Sequence, residues 1–430
     1  MRILPLTALV LIFLSPALAR SDSPVADSLA ARRTLGVSLE RARLLESELG
    51  QLFIVNVDGF GASGPLALEE SFAPMVRRLQ VGGVIPHYGS SSYQRIRRTN
   101  RALAGMTRLP LLLCSDMVRL RSHAGAGSAF GDGYVGGFIG KFRALPDSQF
   151  ETLAELNAFV LAALGLNVAL GPTVDDSTGD ASTAARAQLI VQALRRFGLQ
   201  PVLKHFPFLP SNANLHRASP DTRVALPTAE ARFSAFRDLS EASPILMTTH
   251  LNDSLVDASI VTFSPAWLAI LRRETDFSGL LMSDGLLMLK NYADTRVLGR
   301  APGGLSRLDT TAAWAARAIL AGHDFIIVEG SARQTERAFR GVLAAACSGT
   351  AVGNELADRI EGSFERIKRF KLDNAALLSR QVDVPSSAVD AVIAMTPRDS
   401  TDLKNFHFEP ASLDAVAPEL ERAAVSEAAP

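Results

Sequence analysis

The feature that most constrains the fold is a series of short apolar runs separated by helix-like stretches. Strands buried on both faces read as such runs, and their alternation with helices implies a parallel sheet. Eight units within about 280 residues fit a closed barrel better than an open doubly wound sheet. We therefore predict an α/β fold, a (β/α)8 TIM-type barrel with a C-terminal helical extension. The eight runs are Leu52–Asp58, Gly82–His87, Pro110–Asp116, Asn167–Gly171, Pro201–Phe206, Ile245–His250, Leu280–Asp284 and Asp324–Glu329.

Local signals support helices between and after these runs. Ser264-Pro265 predicts an N-cap followed by proline at the first helical position. Ala312–Leu320 is rich in strong helix formers. Ser331–Ala346 and Asn354–Lys371 also have helical patterns.

Composition limits the class of protein and of partner. With 430 residues, 47% of them hydrophobic and 20% charged, the chain can bury a large core. Lys+Arg and Asp+Glu balance at 44 each, so no overall field favours nucleic acid, and we expect no nucleic-acid partner. Cys114 and Cys347 are the only cysteines and lie in apolar surroundings, so we predict neither a disulfide framework nor a metal site from them.

The N-terminus has the pattern of a secretory signal. Met1-Arg2 precedes the apolar run Ile3–Leu14, and Ala17-Leu18-Ala19 forms a small-residue cleavage site. We predict cleavage after Ala19, a secreted or periplasmic location and no stable membrane insertion afterwards. A membrane anchor is the alternative, although the run is short for a span of about 20 residues. The predicted organisation is a signal peptide at 1–19, a barrel at 20–372 and an extension at 373–430 that is mobile from Val416 onward.

Polar residues gather where the predicted strands end. In parallel barrels these carboxyl ends meet at one rim, which carries the chemistry. The apolar Leu280–Met282 is followed by Ser283-Asp284-Gly285, and an ionised Asp284 must leave the core for that rim. The alternative for Asp284 is a loop residue that caps a helix. The whole set reads as a pocket lining and comprises Asp58, His87, Asp116, Asp175, Lys204, His205, His250, Asp284 and Glu329.

Several of these segments resemble one enzyme family in order and spacing. The resemblance is to the family 3 glycoside hydrolases, in particular their single-domain β-N-acetylhexosaminidase branch, and it runs from about Leu49 to Leu372. The segments that carry it are Gly82–Ile85, Leu166–Val168, Gly171–Asp175, Lys204–Pro207, Met247–His250, Phe263–Gly279, Ser283-Asp284, Ala321–Asp324 and Arg366–Lys371.

The resemblance implies roles for individual residues. Asp284 matches the nucleophile of a retaining mechanism, in which a carboxylate attacks an oxocarbenium-like centre. Lys204 and His205 match residues that hold sugar hydroxyls, and Asp116 matches one that binds the terminal sugar. His250 is a further predicted substrate-binding residue. Glycosyl transfer to water through a carboxylate needs neither a metal nor an organic cofactor, so we expect neither.

The chain also departs from the family pattern. The glycines and the arginine that follow the family's counterpart of Asp116 are absent, and Phe208-Leu209-Pro210 replaces a Gly-His-Gly. The family's acid/base histidine lies in the loop after this point, and two alignments are possible. Counting from Lys204 selects His216.

The other alignment counts back from Leu226-Pro227 and gives Asp221-Thr222-Arg223, with Arg223 in place of the histidine. This alignment keeps both the family's aspartate and its Leu-Pro, which favours it slightly. Arginine cannot donate and recover a proton near neutral pH, so the normal acid/base would then be absent. Asp221 would remain as a substrate-binding residue.

Two functions follow from these observations. The first is a secreted or periplasmic retaining exo-glycosidase that hydrolyses β-N-acetylglucosaminides such as peptidoglycan fragments, with Asp284 as nucleophile and His216 as acid/base. The second is a catalytically impaired homologue that binds a glycan or a protein. Because the nucleophile is kept, we expect an enzyme whose activity is weak or lost if the acid/base is absent. Its expected partner is a carbohydrate that contains N-acetylglucosamine.

Overall fold

The fold is described here for part of the chain. The computed structural model describes residues 24–31, 35–57, 72–86, 92–115, 142, 144–175, 181–208, 233–253, 256–292, 298, 301–395 and 407–425, and the structural statements below concern these residues.

Eight parallel strands form a closed barrel in sequence order, and the last strand pairs with the first. The register along that closing pair runs from Phe53 beside Ile326 to Asn56 beside Glu329. The predicted barrel and its eight strands are confirmed. The strands are β1 (Phe53–Val57), β2 (Gly83–Pro86), β3 (Leu112–Ser115), β4 (Val168–Ala169), β5 (Gln200–Phe206), β6 (Ile245–Thr248), β7 (Leu280–Gly285) and β8 (Phe325–Glu329).

Helices follow the strands and surround the barrel. Those up to β8 are α1 (Pro24–Ala31), α2 (Leu39–Leu52), α3 (Ala73–Leu79), α4 (Tyr93–Ala104), α5 (Asp147–Ala163), α6 (Ala181–Arg196), α7 (Ser234–Asp238), α8 (Pro265–Thr275) and α9 (Thr310–Ala321). After β8 come α10 (Ala332–Ala346), α11 (Ala351–Asp373), α12 (Ala375–Leu378), α13 (Ser386–Met395) and α14 (Pro410–Ala423). Short 3-10 helices span Val261–Phe263, Leu286–Asn291 and Gly303–Arg307.

The strands are apolar because both of their faces are covered, by the barrel interior and by the helices. Strands β2, β3, β4 and β6 are buried along their whole length. Both cysteine thiols are buried as well. Strand β4 is shorter than predicted because regular pairing with β5 ends at Ala169. Beyond it, β5 makes irregular contacts: the Val202 N–H donates to the Gly171 carbonyl at 3.1 Å, and the Lys204 N–H donates to the Pro172 carbonyl at 3.2 Å.

Two of the predicted helix starts are confirmed by their caps. The Ser264 hydroxyl accepts the N–H of Trp267 at 3.2 Å, with Pro265 at the first helical position of α8. At α10, Ser331 and Gln334 form a reciprocal capping box. These contacts satisfy N–H groups that a helix start leaves without internal partners.

The C-terminal segment differs from the predicted mobile tail. Residues 410–423 form helix α14, and Val416 and Ala423 are buried. The Val425 N–H donates to the carbonyl of Arg196 at 2.7 Å. The sequence did contain a signal, because Leu413, Val416, Leu420 and Ala423 recur at helical spacing. This narrow stripe lies within an Ala- and Glu-rich stretch, and the helix packs on α5.

None of the helices in the described ranges is long and apolar enough to cross a membrane.

Candidate active site

The structure places four of the predicted site residues at one end of the barrel. Asp284 lies near the end of β7, Lys204 and His205 near the end of β5, and His250 two residues after β6. The carboxyl ends of parallel strands face the same rim, where barrel enzymes carry their active sites. The predicted residues Asp116, His216 and Asp221 lie outside the described residues.

Asp284 reaches the rim because the strand beneath it is fully apolar and well anchored. Leu280, Leu281 and Met282 are buried, and the Ser283 hydroxyl accepts the N–H of Ile327 at 3.1 Å. Asp284 itself is half-buried. Its Oδ1 accepts the N–H of Gly285 at 2.7 Å. The carboxylate therefore stands at the boundary between core and mouth, as the sequence predicts.

The surroundings of Asp284 keep it ionised. Burial by itself would raise the pKa of the carboxyl group, since a charge is costly in a medium of low polarity. The charges of His205, His250 and Lys204 and the Gly285 N–H outweigh this effect, and the pKa lies below its usual value. A carboxylate that stays ionised is suited to act as a nucleophile.

His205 is oriented by a carboxylate from the preceding strand segment. Asp175 is buried, and its Oδ2 lies 2.7 Å from Nδ1 of His205. The same oxygen accepts the His205 backbone N–H at 3.2 Å. The preceding residue, Lys204, is also buried although it carries a charge, and it forms a β-bridge with Thr173. The paired Lys204 and His205 therefore sit on a fixed backbone beside the mouth.

His250 does not have the geometry predicted for a residue that contacts substrate. Its side chain is fully buried. Nε2 lies 2.8 Å from the Gly285 carbonyl, and Nδ1 lies 2.6 Å from the Thr262 hydroxyl. A carbonyl oxygen only accepts, so Nε2 carries the hydrogen. The prediction of direct sugar contact is corrected: His250 contacts the backbone next to Asp284 instead.

Some site residues were only partly visible in the sequence. Asp175 and Glu329 belong to the polar rim set, but nothing in the sequence paired Asp175 with His205, which lies 30 positions away. No sequence pattern predicted Thr262 as part of the site, because a 3-10 turn after β6 brings it to His250. The described residues contain no cluster of three or more His, Cys, Asp or Glu side chains that could hold a metal ion.

This arrangement places an ionised carboxylate near basic side chains that can donate to hydroxyl groups. It is the minimum needed to attack an electrophilic carbon of a polar, hydroxyl-rich substrate.

Comparisons with known proteins by sequence and by structure agree on one family. The family profile described as "Glycosyl hydrolase family 3 N terminal domain" matches residues 44–370. A beta-hexosaminidase from Methylococcus capsulatus is 31% identical over 198 residues, which are 44% of this chain and 55% of that protein. The aligned part thus spans about half the length of that curated relative.

Solved structures of similar fold include two hexosaminidases. A glycoside hydrolase family 3 beta-N-acetylglucosaminidase from Paenibacillus sp. str. FPU-7 has a TM-score of 0.60 at 19% identity, over 82% of this chain and 68% of that chain. A beta-N-acetylhexosaminidase from Beutenbergia cavernae has a TM-score of 0.56 at 20% identity, over 76% of this chain and 98% of that one. At these identities the likeness concerns the fold.

Proposed function

Because the chain belongs to glycosyl hydrolase family 3, whose N-terminal domain profile spans most of it, we propose that it is a retaining exo-glycosidase. Its proposed substrates are β-N-acetylglucosaminides such as peptidoglycan fragments. The names of the relatives, a beta-hexosaminidase and a beta-N-acetylglucosaminidase, support the choice of an N-acetylated sugar. We further propose that the protein is exported, on the basis of the signal pattern in residues 1–19.

The observation that carries the proposal is the position of Asp284 at the rim together with its lowered pKa. Its carboxylate lies at the end of β7, and its pKa is lowered because the charges of His205, His250 and Lys204 outweigh the effect of burial. In the proposed mechanism this carboxylate attacks the anomeric carbon and the bond to the leaving oxygen breaks. Water then hydrolyses the glycosyl ester, so that the anomeric configuration is retained.

Lys204 and His205 would bind sugar hydroxyls during both steps. Charged donors form stronger hydrogen bonds than neutral ones, and they can hold the ring distorted toward the transition state. Asp175 supports this role because its Oδ2 fixes the His205 imidazole through a 2.7 Å contact. Asp116 is a further proposed sugar-binding residue, on the family resemblance alone.

The first prediction tests the nucleophile. Purified protein should release the aryl group from an aryl β-N-acetylglucosaminide, because this leaving group needs little acid assistance. Asp284→Ala should abolish this release while the melting temperature changes little, since a rim carboxylate contributes little to the core. Proton NMR of the first product anomer tests retention. A wild-type adduct on the peptide that carries Asp284, detected by mass spectrometry, would identify the nucleophile directly.

Two outcomes would count against the proposal. Full activity of Asp284→Ala would show that another residue is the nucleophile. A wild-type protein that binds N-acetylglucosamine in calorimetry but cleaves no aryl glycoside would favour the alternative of a glycan-binding homologue.

The second prediction concerns the acid/base. If His216 donates the proton, His216→Ala should lower turnover by about 10²–10⁴-fold on a substrate with a poor leaving group, and far less on an activated aryl glycoside. If Asp221 and Arg223 occupy the position instead, His216→Ala changes neither rate, and natural disaccharides are cleaved extremely slowly. Rates of wild type and variant on both substrates separate these cases.

A further inference from the structure

We propose that Glu329, acting from one side, and His250, from the other, position the Asp284 carboxylate by holding the backbone segment Gly285–Leu287 that follows it. This inference rests on the proposed role of Asp284 as nucleophile. Neither side chain needs to touch the sugar. Each acts on the peptide groups to which the nucleophile is attached.

Glu329 is the last residue of β8, the strand that pairs with β7. Its Oε2 accepts the N–H of Leu287 at 2.6 Å. Leu287 is the second residue of the 3-10 helix Leu286–Asn291, and the first N–H groups of a helix have no partner within it. The carboxylate of a neighbouring strand therefore caps the turn that begins directly after Asp284.

Gly285 makes room for this carboxylate. Its backbone angles, φ −61° and ψ 114°, are open to any residue, so the conformation does not require glycine. A Cβ atom added at this position would lie 2.5 Å from Oε1 and 2.8 Å from Oε2 of Glu329. A side chain at this position would therefore displace the Glu329 carboxylate.

His250 holds the same segment from the side of β6. Its Nε2 lies 2.8 Å from the Gly285 carbonyl, and the Tyr292 hydroxyl donates to the His250 carbonyl at 3.0 Å. The Gly285 N–H donates to Oδ1 of Asp284 at 2.7 Å. The N–H and the carbonyl of Gly285 and the N–H of Leu287 are thus all fixed. Rotation of the peptide after Asp284 would break at least one of these contacts.

Such a fixed peptide matters for the proposed chemistry, because an in-line attack depends on the direction of the carboxylate. Misplacement of a reacting group by about 1 Å can cost about 100-fold in rate. The expected signature of a positioning residue is a loss in kcat with little change in KM, since the sugar contacts remain.

The experiment is a double-mutant cycle in the full chain, with an activated aryl β-N-acetylglucosaminide as substrate. Glu329→Ala should lower kcat by about 10- to 100-fold and change KM by less than about threefold. Glu329→Gln should keep most of the activity, because its amide oxygen can still accept the Leu287 N–H. Gly285→Ala should also lower kcat, since its Cβ displaces the carboxylate. Glu355→Gln, an exposed change on α11, is the matched control.

The double variant Glu329→Ala/Gly285→Ala tests whether Glu329 and Gly285 act through the same contact. If the two residues share one contact, the double variant loses no more kcat than Glu329→Ala alone, and the shifts in melting temperature are likewise non-additive. Multiplied losses, or a normal kcat in Glu329→Ala, would overturn the proposal. A loss confined to substrates with poor leaving groups would also overturn it, because it would make Glu329 a general acid.

The double-mutant cycle also distinguishes failure of the positioning role from failure of the proposed glycosidase function. A wild-type protein that cleaves no aryl glycoside disproves the glycosidase proposal, and the positioning role fails with it. An active wild type with an unaffected Glu329→Ala variant disproves only the positioning role. The non-additive melting temperatures report the contact itself in either case.

Discussion

Individual side chains of the site gain their properties from neighbours on other strands. The pKa of Asp284 is lowered because basic groups at the ends of β5 and β6 outweigh its burial, and His205 is oriented by Asp175. The charge of Lys204 helps to lower the pKa of Asp284, and in the proposed function Lys204 also donates to a sugar hydroxyl. At this scale the site is a small electrostatic cluster, and removal of one member should alter the others.

The third prediction concerns that coupling at Lys204. Lys204→Met keeps the length of the side chain but removes its charge, so N-acetylglucosamine should bind about tenfold more weakly or worse. The pKa of Asp284 should rise, which moves the acidic limb of the kcat/KM profile to higher pH. Calorimetry and a pH profile measure the two effects. Lys290→Met, at an exposed position after β7, is the control. Unchanged binding would reduce Lys204 to a structural residue.

At the scale of elements, helices that cover the barrel bury polar groups where they pack on one another. Glu48 on α2 is buried against α11, and its Oε2 has no hydrogen-bond partner among the residues the structure describes. Burial, together with the negative charges of Glu361 and Glu365, raises the pKa of this carboxyl to about 7. The packing of these two helices is therefore sensitive to pH.

The fourth prediction follows from the sign of that shift. The unfolded chain releases the Glu48 proton near pH 4.5 and the folded chain near pH 7, so the free energy of unfolding falls as the pH rises between these values. Glu48→Gln should be more stable than wild type at pH 8, by up to on the order of 3 kcal/mol, and lose this advantage toward pH 5.

Urea unfolding at both pH values measures this difference. Glu40→Gln, an exposed change on the same helix, should have no effect. An equal difference between wild type and Glu48→Gln at the two pH values would contradict the prediction.

At the scale of the whole molecule, the two ends of the barrel have different tasks. The carboxyl end carries the candidate site, and helix α11 packs against the opposite end through polar contacts. Arg366 pairs with the buried Asp324 at 2.7 Å. The Lys371 amine donates to Oε1 of Gln51 at 2.8 Å and to the Gly82 carbonyl at 2.7 Å, just before β1 and β2. These contacts join the last barrel helix to the first strands.

The fifth prediction concerns the stability of this closure. Burial lowers the pKa of the Lys371 amine from 10.5 to about 7. The unfolded chain therefore binds more protons between these values, and the free energy of unfolding rises with pH over this window. The stability of wild type minus that of Lys371→Met should increase from pH 7 to 10, by up to about 1.4 kcal/mol per pH unit.

Denaturant unfolding across this range provides the measurement. Lys368→Met, at a partly exposed position on the same helix, should show no such slope. A pH-independent difference for Lys371→Met would mean that the amine stays charged in the folded protein.

The sequence by itself determined the barrel, two of the helix starts and the position of Asp284 at the end of a strand. Strand runs, the Ser264 cap and the apolar strand before Asp284 are local patterns, because hydrophobic periodicity and capping act over a few residues. The amphipathic stripe of α14 was also present, but too few of its positions are apolar to distinguish it from a polar tail.

Only the tertiary structure decided which polar residues of the rim contact one another. It paired Asp175 with His205, directed His250 to the Gly285 carbonyl rather than to the mouth, and set Glu329 against Gly285. Such contacts join residues that are 30 to 44 positions apart, from Asp175–His205 to the Glu329 carboxylate on Gly285. Barrel closure determines these distances, because the strand register fixes which side chains meet at the rim, and no local pattern in the chain carries that information.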